Sequence, residues 1–161
     1  MIKKDEIYKI VSQNISGSEI TIVDIQVGNS NNIRIVLDAL KGVNIEDCVK
    51  INRLIESNFN RDTEDYQLEV SSYSISDPFI IPLHYIKNLD RQVEIQLKNG
   101  RLIKGLLKKV TFDENGVNII GIELSNKKKI KEEGKKKKIE IEELTKVDYS
   151  EIQKAKLQSV F

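Results

Sequence analysis

The chain has few of the residues that build disulfide, metal or cofactor sites. Its 161 residues include one Cys, one His, one Met and no Trp. A single cysteine cannot form an internal disulfide, and one His with one Cys offers no zinc cluster. No Gly-rich phosphate loop follows a strand-like segment, and no carboxylate spacing resembles a calcium loop. We therefore expect no cofactor, no metal and no nucleotide hydrolysis.

Cys48 and His84 form the one pair that suggests a nucleophilic enzyme. Cys48 falls on the apolar side of a predicted helix, where a free cysteine usually acts as a small buried hydrophobe. Neither residue has a visible activating partner in the sequence. We therefore predict no catalytic residues.

Long apolar runs are also missing. No segment approaches the roughly 18 apolar residues that a membrane-spanning helix needs. The first residues, Met-Ile-Lys-Lys-Asp-Glu, lack the apolar core of a signal peptide. These absences predict a soluble, cytoplasmic protein without membrane partners, and we expect a monomer.

Charge is divided unevenly along the chain. Residues 1–85 carry 8 Lys and Arg against 13 Asp and Glu, whereas residues 86–161 carry 18 against 12. The net charge of +1 therefore hides an acidic half and a basic half. This asymmetry indicates two units with different surface roles.

The first half predicts a small α/β layer in the order helix, strand, strand, helix, strand. Asn44 is expected to cap the second helix, which then begins near Ile45, because an Asn side chain can accept a hydrogen bond from the backbone N–H three residues on. Apolar residues at three- and four-residue steps give that helix one buried side, predicted to include Ile45, Cys48 and Ile55. The predicted elements are helices at 3–15 and from 45, and strands at 19–27, 33–38 and 66–72.

Both prolines, Pro78 and Pro82, lie between the two halves. Proline interrupts helices and central strands, so this stretch reads as a linker, with a short helical turn at 83–88. We place the domain boundary at Pro82, which gives an α/β domain at 1–82 and a second domain at 83–161.

The second half predicts short antiparallel strands joined by tight turns. Asn99-Gly100 is typical of a type I′ hairpin turn, and 113–116 predicts another turn. The predicted strands are 93–97, 101–110, 117–124 and 139–141. Such strands are similar to an SH3-like or Sm-like small β-barrel, which makes the whole chain α+β. From Val147 to Phe161 the composition favours a C-terminal helix, and a helix docked on the barrel and a frayed end both stay open.

The segment from Lys127 to Lys138 is the strongest chemical feature, with eight lysines and two glutamates in twelve residues. Between two strands it predicts a long, mobile cationic loop that could neutralise phosphates with little sequence selectivity. A solvated hairpin tip that keeps the protein soluble stays open as the alternative. The candidate RNA-binding residues are Lys127, Lys128, Lys129, Lys131, Lys135, Lys136, Lys137 and Lys138.

A family resemblance rests on the stretch from Gly42 to Arg53, Gly-Val-Asn-Ile-Glu-Asp-Cys-Val-Lys-Ile-Asn-Arg, with Leu68-Glu69-Val70-Ser71-Ser72 after it. In order and spacing these residues resemble the signature of the bacterial ribosome maturation factor RimP family, and the resemblance extends over nearly the whole chain. It implies a non-enzymatic factor that binds the immature small (30S) ribosomal subunit and promotes its assembly and 16S rRNA maturation. The implied partners are 16S rRNA and a ribosomal protein near the decoding centre. A general Sm-like RNA-binding module or RNA chaperone is the alternative.

The family has Ser-Ser-Pro-Gly-Leu-Asp-Arg-Pro-Leu where this chain has residues 71–79. Aligned without gaps, Ser71, Ser72 and Pro78 match, while Ile75 and Phe79 keep apolar character. Asp77 stands where the family has Arg, so an acid replaces the basic contact expected there. These five residues, three matching and two of similar character, are predicted family-loop or interdomain contacts, and a hinge packed by Ile75 and Phe79 is the alternative.

Overall fold

A computed structural model describes residues 1–131, 133–134 and 136–158 of the chain. The chain divides into two compact units, Met1–Ser74 and Ile75–Phe161. The predicted boundary at Pro82 lies further along the chain, at the first residue of a short helix of the second unit. The compact units thus divide two residues after the last strand of the first unit, and the domain boundary at Pro82 stays a prediction.

The first unit has the predicted order of helix, strand, strand, helix, strand. Its elements are α1 Lys4–Ile15, β1 Thr21–Gly28, β2 Asn32–Asp38, α2 Ile45–Asn58 and β3 Gln67–Ser72. The sheet order is β1-β2-β3, with β1 antiparallel and β3 parallel to β2. Because β3 runs parallel to β2, the chain must cross over between them, and α2 is that crossover.

A capping box fixes the start of α2. The Asn44 side chain accepts a hydrogen bond from the Asp47 backbone N–H at 2.8 Å, and the Asp47 carboxylate accepts one from the Asn44 N–H at 3.1 Å. Two donors that a helix leaves unpaired at its first turn are thereby satisfied. The predicted cap and the predicted first residue, Ile45, are both confirmed.

The core of the first unit lies between the sheet and the two helices. Its fully buried side chains include Ile7 and Val11 of α1, Ile33 and Ile35 of β2, and Ile51 and Ile55 of α2. The predicted apolar stripe of α2 is confirmed at Ile55 but is wrong at Ile45, which is 83% exposed. Ile45 is the first residue of α2, and at this end of the helix its side chain faces solvent rather than the core.

Within its described residues, the second unit contains one short α-helix and five strands. Its elements are α3 Pro82–Lys87, β4 Gln92–Leu97, β5 Leu102–Phe112, β6 Ile119–Lys131, β7 Lys138–Asp148 and β8 Ile152–Leu157. Pro82 occupies the first turn of α3, where its missing N–H and fixed φ are compatible with a helix. The predicted helical turn after the linker is confirmed.

The strands of the second unit form one antiparallel sheet in the order β7-β6-β5-β4-β8. Val93, Ile95, Leu107 and Leu124 are fully buried beneath it. In the part of the chain that the structure describes, β7 and β8 form the two edges, and the sheet is not a closed barrel. The α+β class is confirmed, while closure into a barrel is not.

The predicted C-terminal helix is wrong over the described residues up to 158. Asp148 ends β7, a 3-10 turn covers Tyr149–Glu151, and β8 follows. Ala155 lies opposite Ile95 of β4 and is 1% exposed. The helical preference of Lys, Gln and Ala is a weak tendency, and pairing with a buried central strand overrides it. Phe161 lies outside the described residues.

Candidate nucleic-acid interface

The lysine-rich segment is a β ribbon and not the predicted mobile loop. Strand β6 continues through Lys131 and β7 begins at Lys138, so lysines 127, 128, 129, 131 and 138 all lie on strands. We call residues 126–131 and 138–143 the lysine ribbon. Lys136 and Lys137 lie in the connection between the strands, and Lys135 lies outside the described residues. A paired ribbon holds the charges in a defined order, which a mobile loop would not.

Cross-strand pairing explains why so many lysines are compatible with strands. Lys127 lies opposite Glu142, and Lys129 lies opposite Glu140. The Lys127 ammonium is 3.4 Å from a Glu140 carboxylate oxygen. Opposite charges on neighbouring strands stabilise a sheet by a few tenths of a kcal/mol to about 1 kcal/mol per pair. The base of the ribbon is therefore close to electrically balanced on this face.

The base of the ribbon is also anchored to the core. The hydroxyl of Ser125, which is 6% exposed, donates a hydrogen bond of 2.7 Å to the Glu142 carboxylate. Ser125 directly follows Leu124, which is fully buried. The ribbon therefore continues strands of the core, and contacts with the core hold its base in place.

The tip of the ribbon carries unbalanced positive charge. Lys131 and Lys138 lie directly opposite one another, and Lys136 and Lys137 immediately precede Lys138 in the connection. In residues 131–138 five lysines outnumber two glutamates. Like charges in direct opposition destabilise a strand pair. A bound anion would relieve this repulsion, so the tip is the part of the ribbon best suited to phosphate.

The opposite face of the ribbon is partly apolar. Ile130 and Ile139 lie opposite each other, and Ile141 lies opposite Lys128. The three isoleucines are 38–40% exposed. β-Branched side chains favour strands and pack against their cross-strand partners, which supports the ribbon where no core lies beneath it.

The predicted contacts at residues 71–79 divide between the two units, with Ser71 and Ser72 in the first and the other three in the second. Ser71 and Ser72 end β3, and Ser71 lies beside Ile45 and Cys48 in a hollow of about 270 Å³. Ile75 is 66% exposed. Whether these residues contact a partner stays a prediction.

Phe79 and Pro78 belong to the second unit. The Phe79 ring meets the Tyr85 ring edge to face at 4.9 Å, and its N–H donates to the Ala155 carbonyl at 2.7 Å. Burial and the neighbouring Tyr149 raise the pKa of the Tyr85 hydroxyl. Phe79 therefore packs against the sheet, and Pro78 leads into that contact.

The surroundings of Cys48 and His84 are those of structural residues rather than of a nucleophile and its base. Partial burial, aided by the nearby Asp47 charge, raises the pKa of the Cys48 thiol, which disfavours the reactive thiolate. His84 is 1% exposed, and its Nδ1 accepts hydrogen bonds from the backbone N–H groups of Ile80 and Ile81 at 2.9 and 3.4 Å. The imidazole thus caps the start of α3.

Two other kinds of feature are absent from the described residues. Among them, no three His, Cys, Asp or Glu side chains gather where they could hold a metal ion. The helices within the same ranges are all too short or too polar to cross a membrane.

A second group of lysines was missed by the sequence reasoning. Lys104 of β5 and Lys156 of β8 both lie opposite Glu94 of β4, and Lys154 lies next along β8. Lys104 is about fifty residues from Lys154 and Lys156 in sequence, and none of the three is part of a charge run. Only the pairing of β4 with both neighbours brings them together, so no local signal could have revealed them.

Fold and surface together define a two-unit α+β protein in which an acidic unit with two helices precedes a basic β unit carrying a polycationic ribbon. The family model for the RimP N-terminal domain matches residues 10–75. These residues span most of the first unit, including the capped helix α2.

Similarity to named relatives extends over both units. The chain is 35% identical to a protein of Porphyromonas gingivalis over 90% of this chain and 91% of that one. It is 31% identical to a protein of Christiangramia forsetii over 87% and 86% of the two chains, and 30% identical to one of Flavobacterium psychrophilum over 100% of each. All three relatives are named ribosome maturation factor RimP. The chain belongs to the RimP family, as the stretch from Gly42 to Ser72 predicted.

Proposed function

We propose that this protein is a ribosome maturation factor that binds the immature small ribosomal subunit and promotes its assembly and 16S rRNA maturation. The observation that carries this proposal is the match to relatives named ribosome maturation factor RimP over 86–100% of their length. Both units are included in those matches, so the proposal concerns the whole chain.

The ribbon tip is the proposed contact with rRNA. Its lysines are point charges that suit the phosphate backbone, and each neutralised phosphate releases counterions. The second unit beyond the linker has few aromatic residues available for base stacking. Recognition by this unit therefore depends on backbone position and shape rather than on base sequence.

The first unit is the proposed contact with a ribosomal protein. Residues 1–74 carry 8 Lys and Arg against 12 Asp and Glu, and a basic ribosomal protein near the decoding centre complements that surface. Complementary charge speeds encounter and sets orientation. The matching residues Ser71 and Ser72 end the edge strand of this unit and are proposed to take part in that contact.

The factor acts by binding alone, as a cytoplasmic monomer without a catalytic step. The raised pKa of Cys48 and the capping role of His84 support this part of the proposal. We also propose that the second unit is an open relative of the SH3-like barrels. The pairing of its last strand, β8, with its first, β4, supports that assignment.

Co-sedimentation in sucrose gradients tests the proposed function. The purified chain is mixed with free small subunits, assembled ribosomes or bare RNA, at low and at moderate salt. We expect migration with free small subunits that survives moderate salt. Binding to all three at low salt and to none at moderate salt would indicate a general RNA-binding module and would contradict the proposal.

A further inference from the structure

We propose that the outer face of β4, β5 and β8 is a second RNA-backbone site, separate from the ribbon and organised by Glu94. We call it the Glu94 patch and define it by Glu94, Gln96, Leu102, Lys104, Lys154 and Lys156. The inference rests on the proposed function for its partner, since the RNA is that of the small subunit. The site itself follows from the geometry of the sheet.

Glu94 lies at the centre of three adjacent strands. One of its carboxylate oxygens is 3.4 Å from the Lys104 ammonium, and the other is 3.7 Å from the Lys156 ammonium. The Glu94 side chain is 17% exposed, whereas the side chains of Lys104 and Lys156 are 50% and 43% exposed. The carboxylate is thus sheltered beneath two ammonium groups that reach solvent.

A shallow hollow extends from this ion-pair network along the sheet. It measures about 340 Å³, and Gln96, Gly100, Leu102 and Lys154 complete its lining with Glu94 and Lys156. Gly100 has φ of 92° in the β4–β5 turn, which other residues rarely adopt.

The patch has a surplus of positive charge at fixed spacing. The patch contains three lysines and one carboxylate, and two of the lysines, Lys104 and Lys156, pair with that carboxylate. Neighbouring strands lie about 4.8 Å apart. Lys154 and Lys156 are two residues apart on β8 and therefore stand about 6.6 Å apart on one face. An ammonium has three donors, so lysines that contact Glu94 can still donate to an anion.

These features fit an RNA backbone better than a compact anion. The lysines lie on two strands, β5 and β8, on either side of β4, and this spread along an open surface suits consecutive phosphates. The Gln96 amide both donates and accepts, as a ribose 2′-hydroxyl requires. Glu94 is a positioning residue here, because it orders two flexible lysine side chains before RNA arrives.

Two cationic surfaces on one unit would allow two backbone segments to be held together. Linked contacts raise the overall affinity more than either alone, because the second contact forms within the complex. The ribbon and the Glu94 patch therefore cooperate in holding folded rRNA.

The main test removes two lysines from the patch and compares a matched pair elsewhere in the unit. Lys154→Ala with Lys156→Ala is compared with Lys98→Ala with Lys109→Ala, which removes the same charge from exposed positions. Binding is measured against a single-stranded RNA oligonucleotide and against free small subunits, at several salt concentrations. We expect the patch variant to reduce the slope of log K against log salt by about 1.4, since each single-strand phosphate contact contributes about 0.7. Equal slopes in the two double variants would overturn the proposal.

The Glu94→Gln variant distinguishes a positioning role of Glu94 from a simple effect of its negative charge on RNA binding. This variant raises the net charge by one, so a generic electrostatic surface would bind RNA more tightly. Loss of lysine ordering would instead weaken binding several-fold, which is the result we expect. Tighter binding by Glu94→Gln would contradict the role given to this residue.

Nuclear magnetic resonance of the unaltered chain tests the site without depending on the folding of a variant. In the unaltered chain, titration with the oligonucleotide should shift the amide signals of Gln96 and Lys156, while polyglutamate at equal charge should leave them unchanged. Equal shifts with polyglutamate would assign the patch to an acidic peptide and overturn the proposal. If the oligonucleotide binds at the patch but small subunits are not bound, the proposed function fails and the site stands.

Discussion

The two units of this protein differ in where their stability and their charge reside. In the first, two helices cover a three-stranded sheet, and the surface has an acidic excess. In the second, residues 75–161 carry 18 Lys and Arg against 13 Asp and Glu, and strands β6 and β7 extend beyond the core as the lysine ribbon. The difference teaches that changes to the ribbon can alter binding without loss of the core, whereas changes to α2 act on folding first.

A cavity in the first unit should give the largest effect on stability. Ile55→Ala removes a fully buried side chain of α2, and such substitutions cost about 2–5 kcal/mol. Chemical denaturation of the full chain measures the loss. Val49→Ala, on the same helix but 39% exposed, is the control and should cost far less. Equal losses in the two variants would contradict the assigned core.

Glycine substitutions compare the two units directly. A Cβ at Gly105 would meet Leu124 Cβ, the Ser125 carbonyl oxygen and the Asn126 side chain, each at 3.1 Å. We expect Gly105→Ala to cost about 1–3 kcal/mol, as other overpacked sites do, because backbone atoms cannot move aside freely.

Gly28 is the matched position in the first unit. Its φ is −85°, and a Cβ there would come no closer than 3.7 Å to its neighbours. Gly28→Ala should therefore leave the free energy of unfolding unchanged or raise it slightly. A larger loss at Gly28 than at Gly105 in thermal unfolding would refute both assignments.

The cap of α2 contributes a smaller amount. Asn44→Ala removes one partner of the capping box and should cost about 1 kcal/mol. Asn44→Ser should restore most of that stability, since serine is also a good cap. If serine and alanine lowered the melting temperature equally, the hydrogen bond to Asp47 would not be the cause.

The smallest effect concerns the turn between β5 and β6, and it depends on pH. The Asp113 carboxylate accepts hydrogen bonds from the backbone N–H of Val117 and from Asn118, which hold its pKa below the usual range. A lowered folded-state pKa stabilises above the unfolded pKa, and that stability is lost as pH falls through the folded value. Asp113→Ala should therefore be less stable than the parent near pH 6, with the difference shrinking in acid. A difference independent of pH would contradict this cause.

The sequence predicted the first unit well because its signals are local. The capping residue Asn44 and the apolar spacing of α2 lie within one segment, as do the alternating residues of β2. Ile45 was the exception, because the burial of a residue at a helix end depends on which other elements pack beside it.

The second unit was harder to predict because its structure depends on distant pairings. The residues of β8 favour a helix locally, yet β4 pairs with them through Ile95 and Ala155. The lysines of β6 suggested a loop because their partners, Glu140 and Glu142, lie on the next strand. The Glu94 patch requires three strands and is absent from any single segment.

The central claim is that the tip of the lysine ribbon holds rRNA while the first unit's cations do not. Charge reversal at Lys131, Lys136 and Lys138 tests it, with reversal of the exposed Lys4, Lys9 and Lys41 of the first unit as the matched control. Each full-length triple variant is sedimented with free small subunits at moderate salt. We predict that the ribbon variant no longer migrates with the subunits and that the control variant does. Co-migration of the ribbon variant, or equal loss in both, would contradict the account.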